Sequence, residues 1–84
     1  MIIRELMTTR WDNKELITCP SFGTVEKVIV QPGDRINEGQ PLFLIKTEQG
    51  SLEQISVMIT GTLELLNIKI GDKVNPGMVL ARMS

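Results

Sequence analysis

Gly23-Thr24-Val25-Glu26-Lys27-Val28-Ile29-Val30-Gln31-Pro32-Gly33-Asp34-Arg35-Ile36-Asn37-Glu38-Gly39 is the stretch that decides the fold, because the chain contains it twice. Displaced by 38 positions, Gly23 falls on Gly61, Thr24 on Thr62, Glu26 on Glu64, Gly33 on Gly71 and Asp34 on Asp72. The same offset brings Asn37 onto Asn75, Gly39 onto Gly77 and Leu42 onto Leu80. Val25/Leu63, Val28/Leu66, Val30/Ile68, Arg35/Lys73 and Ile36/Val74 are conservative matches. Glycines at fixed spacing mark backbone positions that need positive φ or close chain approach. Two copies of one supersecondary unit follow. Neither buries its apolar face alone, so the two pack as a pseudo-twofold sandwich.

The segments around the repeat read as strands. Leu16–Cys19, Thr24–Val30, Leu42–Lys46, Leu52–Ile59, Leu63–Ile70 and Met78–Met83 are short and rich in Val, Ile and Leu. Gln31-Pro32-Gly33-Asp34 has proline second and glycine third, the chemistry of a type II turn, and Asn75-Pro76-Gly77 repeats it. Glu48-Gln49-Gly50-Ser51 is a polar tip between two strand-like runs and predicts a hairpin. Asp34 and Asp72 are expected to bond backbone N–H groups after the glycine. Residues 1–15 show no such period. They are expected to form a partly ordered extension, with Trp11 either capping an open end of the core or lying on a flexible tail.

Composition limits what such a chain can do. Its 84 residues make one domain with a thin core. A net charge of −1 with scattered basic residues argues against nucleic acid, which demands a basic patch. Histidine is absent, removing the commonest general base and metal ligand. One cysteine, Cys19, permits neither an internal disulfide nor a cysteine metal cluster, and is expected to be a small buried apolar residue in a reducing cytoplasm. No apolar run reaches the roughly 20 residues of a membrane span. Met58, Met78 and Met83 are expected to fill core gaps. Glu48 and Glu53 could face each other across the hairpin as an acid/base pair, but solvated charge is the plainer expectation for these acids. No metal site and no catalytic residues are expected.

Three runs carry a family resemblance. They are Cys19-Pro20-Ser21-Phe22-Gly23-Thr24-Val25, Val30-Gln31-Pro32-Gly33-Asp34 through Gly39 to Leu42, and Thr60-Gly61-Thr62 with Ile70-Gly71-Asp72 through Gly77. Together they resemble the biotinyl/lipoyl attachment domains over about residues 16–83. The resemblance implies an all-β flattened barrel of two antiparallel sheets with quasi-twofold symmetry, a barrel-sandwich hybrid of the single hybrid motif type. Gly33, Asp34, Gly39, Gly71, Asp72 and Gly77 then build its hammerhead turns.

In that family a hairpin tip presents one lysine, to which a ligase attaches biotin or lipoate. Here the resemblance puts the tip at Thr47, Glu48, Gln49 and Gly50, with Gln49 at the lysine position. A carboxamide is no nucleophilic amine, so no cofactor is expected. The resemblance also leaves about one extra residue between Gly50 and Gly61, predicting a shifted or bulged hairpin. Lys46, three positions before Gln49, is the alternative acceptor. An odd shift along a strand turns it to the other face and down from the tip. Lys69 and Lys73 are expected near the opposite end.

The expectation is therefore a non-catalytic module without a prosthetic arm, binding or scaffolding near carboxylase or acyl-transfer enzymes. The alternatives are a genuine carrier modified on Lys46, and an adaptor sharing only the fold. A protein partner is expected, with neither nucleic acid nor membrane.

Overall fold

The computed structural model describes residues 1–11 and 13–84; the Trp11 side chain, and with it the expectation of an end cap, lies outside the described part. Among the described residues ten strands form two five-stranded sheets. They are β1 (Ile2–Leu6), β2 (Thr9–Trp11), β3 (Lys14–Thr18), β4 (Gly23–Val28), β5 (Arg35–Ile36), β6 (Phe43–Thr47), β7 (Leu52–Val57), β8 (Gly61–Leu66), β9 (Lys73–Val74) and β10 (Val79–Met83). One sheet runs β1-β7-β6-β4-β9 and the other β2-β3-β10-β8-β5.

The repeat is visible in the hydrogen bonding. Gly33 donates its N–H to the Leu63 carbonyl at 2.8 Å, and Gly71 donates to Val25 at 2.8 Å. Leu63 donates back to Asp34 at 2.9 Å, and Val25 to Asp72 at 2.8 Å. Each copy's turn thus bonds to a strand of the other copy. β5 pairs with β8 and β9 with β4, so the two halves are interlocked. Phe43 opposite Ile55 is matched 38 positions away by Ala81 opposite Ile17.

The turn glycines adopt the conformation the sequence demands. Gly33, Gly39, Gly71 and Gly77 have φ of 96°, 80°, 94° and 87°, values that side-chain-bearing residues avoid. The aspartates act differently from the expectation. Asp34 Oδ2 accepts the N–H of Gln31 at 3.0 Å, and Asp72 Oδ2 that of Lys69 at 3.0 Å. Each carboxylate reaches back to the residue that opens the turn. Asp34 and Asp72 also donate their own N–H to those same residues' carbonyls at 3.1 Å, closing each turn from both sides.

Alternating apolar residues of both sheets fill the core. Ile17, Ile36, Leu42, Phe43, Ile45, Ile55, Val57, Leu63, Leu80 and Met83 are fully buried. Each large apolar side chain contributes roughly 1.5–3 kcal/mol relative to exposure. Cys19 joins them, and burial pushes its thiol pKa up. Met58 departs from the expectation at 48 % exposure. It follows the last residue of β7, where the strand that turned side chains inward has ended.

The N-terminal residues supply one strand to each sheet. β1 lies parallel to β7, so the first sheet is mixed rather than purely antiparallel. β2 lies antiparallel to β3. Arg4 Nε donates to Glu53 Oε2 at 3.1 Å, while Ser21 Oγ donates to Glu53 Oε1 at 2.7 Å. Glu53 is only 2 % exposed, contrary to the solvated position expected for it. A buried carboxylate needs such partners. The matching residue of the other half, Glu15, accepts from Thr8 Oγ1 at 2.9 Å. The N-terminal segment thus serves a glutamate in each half.

Candidate functional site

The site to consider is the β6–β7 tip. The two strands pair without a break from Phe43↔Ile55 to Lys46↔Leu52, so no bulge interrupts the ladder and the expected shift is absent there. Gly50 donates its N–H to the Thr47 carbonyl at 2.9 Å and adopts φ 85°. A three-residue loop closing on a glycine in this conformation is a common hairpin connection. Glu48 and Gln49 are its central residues, both exposed, with Gln49 at the apex.

Thr47 belongs to the frame rather than the exposed surface. It is 7 % exposed, and its Oγ1 accepts the Ser51 N–H at 3.1 Å. Glu48 donates its N–H to the Phe22 carbonyl at 3.1 Å, tying the tip to the approach of β4. Gly23 lies against the base of the tip so closely that a Cβ there would fall on the Lys46 carbonyl oxygen. Glu48 and Glu53 do not form a pair, because Glu53 stands opposite Ile45 and turns inward to Arg4 and Ser21.

Lys46 is exposed on β6, opposite Thr24 of β4, and Thr24 in turn is opposite Lys73 of β9. Directly paired residues project to the same face of a sheet, so Lys46, Thr24 and Lys73 form one outward row. With strands about 4.8 Å apart, the two lysine Cα atoms are roughly 10 Å apart. These three residues line a groove of about 340 Å³ with Gly23, Thr47, Glu48 and Gly50. Lys73 is therefore beside the tip and not at the opposite end. The crossover that pairs β9 with β4 carries it there, a relationship invisible from its place in the second copy. Lys69 lines a different groove, of about 310 Å³, with Leu66, Asn67, Ile68 and Asp72.

The far end of the sandwich has a different electrostatic arrangement. Lys14 Nζ donates to Glu64 Oε2 at 2.9 Å, and Arg82 Nε stands 3.4 Å from Glu64 Oε1. The Lys14 hydrogen bond, foremost, holds the Glu64 pKa below its ordinary value, with the Lys14 charge, a Ser84 hydrogen bond and the Arg82 charge adding to it against some desolvation. No group of three or more His, Cys, Asp or Glu among the described residues is placed to hold a metal ion. Among the described residues no helix is long and apolar enough to cross a membrane.

Comparison with known families gives a match over residues 15–83 to the biotin/lipoyl family model, described as biotin-requiring enzyme. The chain belongs to the biotin/lipoyl domain family. The lipoyl domain of the 2-oxoglutarate dehydrogenase complex from Azotobacter vinelandii is similar in structure, with a TM-score of 0.71 at 20 % identity over 82 % of this chain and 94 % of that one. The Kluyveromyces lactis urea carboxylase contains a similar domain, with a TM-score of 0.79 at 20 % identity over 96 % of this chain. A single-chain, multi-domain long-chain acyl-CoA carboxylase does too, with a TM-score of 0.79 at 14 % identity over 90 % of this chain. The biotin/lipoyl domain described here spans 7 % of the length of each carboxylase chain. The curated proteins give no match.

Proposed function

We propose that this biotin/lipoyl domain is a non-catalytic module without a prosthetic arm, acting by binding or scaffolding beside carboxylase or acyl-transfer enzymes. The observation that carries the reading is Gln49 at the exposed apex of the β6–β7 turn. The family's prosthetic group is attached through an amide to a lysine amine. The Gln49 carboxamide does not fit that attachment, so no chemistry is assigned to biotin or lipoate here. The likeness of the fold to domains of two carboxylases supports the choice of neighbours. A net charge of −1 supports a protein partner over nucleic acid. The lone buried thiol of Cys19 supports a reducing compartment such as the cytoplasm.

A second reading is a carrier modified on Lys46, favoured by that side chain's exposure one residue before the turn. Co-expression with biotin and lipoate ligases, followed by intact-mass measurement, decides between the two. An unchanged mass is expected. A gain of one biotinyl or lipoyl group overturns the first reading. If Lys46→Arg then abolishes the gain, the second holds; if the adduct survives, Lys46 is not its site.

A further inference from the structure

We infer that the groove beside the β6–β7 tip is a docking site for a carboxylate-bearing segment of a partner protein. The inference deepens the binding role proposed above and rests on it. Its basis is the row Lys46–Thr24–Lys73, which sets a lysine on each side of a hydroxyl-bearing residue on an open face of the sheet. Among the described residues Lys27, Arg35, Lys46, Lys69 and Lys73 stand in no ion pair, and of these Lys46 and Lys73 line one groove together. Two cations flanking a hydroxyl donor suit a carboxylate, which accepts several hydrogen bonds at once. Glu48, on the tip side of the same groove, polarises it. An incoming carboxylate is repelled there and drawn toward Thr24.

The internal repeat separates what the scaffold needs from what this groove adds. Thr24 is matched by Thr62, but Lys46 is matched by Ser84 and Phe22 by Thr60. Ser84 still exchanges backbone hydrogen bonds with Thr62, at 3.0 Å and 3.1 Å. The strand pairing therefore requires no lysine at this position. Nor does it require an aromatic side chain before the glycine. Phe22 is nevertheless 56 % exposed beside the tip. An acidic residue next to an apolar one matches the pair of features that the first copy has and the second lacks.

The test is a ¹⁵N NMR titration of the whole unmodified chain, its mass checked beforehand. The probes are an acetylated, amidated Glu-Leu-Glu peptide, its Gln-Leu-Gln counterpart and inorganic phosphate. The acidic peptide is expected to give saturable shifts at the amides of Thr24, Lys46, Glu48, Gly50 and Lys73. Lys46→Gln and Lys73→Gln should each weaken binding roughly two- to fivefold, as expected for exposed charge pairs. Lys27→Gln, on β4 but outside the groove, should leave it unchanged. Salt at about 1 M, where screening acts within about 3 Å, should abolish it.

Absent shifts, equal shifts with the neutral peptide, or binding indifferent to both groove lysines would each overturn the inference. Phosphate saturating the same amides while the peptide does not would assign the groove to a free anion and overturn it as well. A mass adduct sinks the arm-free reading on its own. A flat titration on adduct-free chain sinks only the docking site.

Discussion

Arg4 Nε lies 3.1 Å from Glu53 Oε2, and this contact fastens the first strand of the chain to the middle of its hairpin. Glu53 is almost wholly buried while Arg4 is 49 % exposed, so the two partners are not interchangeable. Arg4→Gln leaves a buried carboxylate with Ser21 as its remaining side-chain partner. The expected cost is about 1–2 kcal/mol, below that of breaking a fully buried pair because water reaches the arginine. Glu53→Gln removes the charge that needs a partner and should cost less. Urea unfolding of both variants measures the order, and a larger loss for Glu53→Gln would show that the ion pair is not what holds β1.

Two glycines should differ although the repeat equates them. A Cβ on Gly23 would collide with the Lys46 carbonyl, and one on Gly61 would stand 2.6 Å from the Ser84 carbonyl. Lys46 is held on both sides by β4 and β7, but Ser84 lies beyond the end of β10 and is tied by backbone hydrogen bonds to Thr62 of β8 alone. Gly23→Ala is therefore expected to destabilise by about 2–3 kcal/mol, as overpacking does, and Gly61→Ala by roughly half of that. Gly33→Ala meets nothing within 4 Å, and its cost of about 1–2 kcal/mol comes from φ alone. Thermal midpoints of the three variants would check the ranking.

How far the sequence discloses these relationships depends on their range. β4 and β8 begin at Gly23 and Gly61, and the four hammerhead-turn glycines carry their own conformational signature, so the frame could be read residue by residue. The tip was legible for the same reason, since Glu48-Gln49-Gly50 is turn chemistry between two apolar runs. β5 and β9 are two residues each and show no period to detect. Lys73 reaches the groove only because β9 crosses to the other half, which no local pattern encodes. Glu53 looked like a surface acid because the arginine that neutralises it is 49 positions away. β1 and β2 were hidden similarly. Their partners β7 and β3 belong to the repeat, but they themselves do not.

Acid should weaken the end of the sandwich away from the tip through Glu64. Its pKa is lowered in the folded chain, chiefly by the Lys14 hydrogen bond. A carboxylate whose folded pKa lies below its unfolded one binds protons more readily when unfolded. Its contribution is therefore complete above the ordinary value of 4.5 and is lost as pH falls through the lower folded value. Glu64→Gln removes that dependence and leaves the other carboxylates to titrate. Thermal midpoints between about pH 6 and pH 3 should fall less steeply in the variant than in the natural chain. Parallel curves would show that the Lys14–Glu64 contact adds nothing to the folded state.

The apex residue provides the sharpest test of the arm-free reading proposed for this biotin/lipoyl domain. Gln49 is exposed at the centre of a turn whose backbone is fixed by the Thr47 and Gly50 hydrogen bond, so its side chain can be exchanged without disturbing the strands. Gln49→Lys places an amine on that apex. If the backbone of the tip keeps the geometry a ligase reads, co-expression with biotin and lipoate ligases should convert a measurable part of the variant to the adduct mass. Gln49→Arg, which carries charge without a comparable nucleophile, should remain unmodified under the same conditions. Modification of the lysine variant would mean that one side chain separates this module from a carrier. If both variants keep their unmodified mass, the flanking residues Glu48 and Gly50, or the Lys46–Lys73 groove beneath them, must also exclude the ligase. Changing Gly50 to alanine in the lysine background would then be the next measurement, since Gly50 at φ 85° sets the direction in which the apex points.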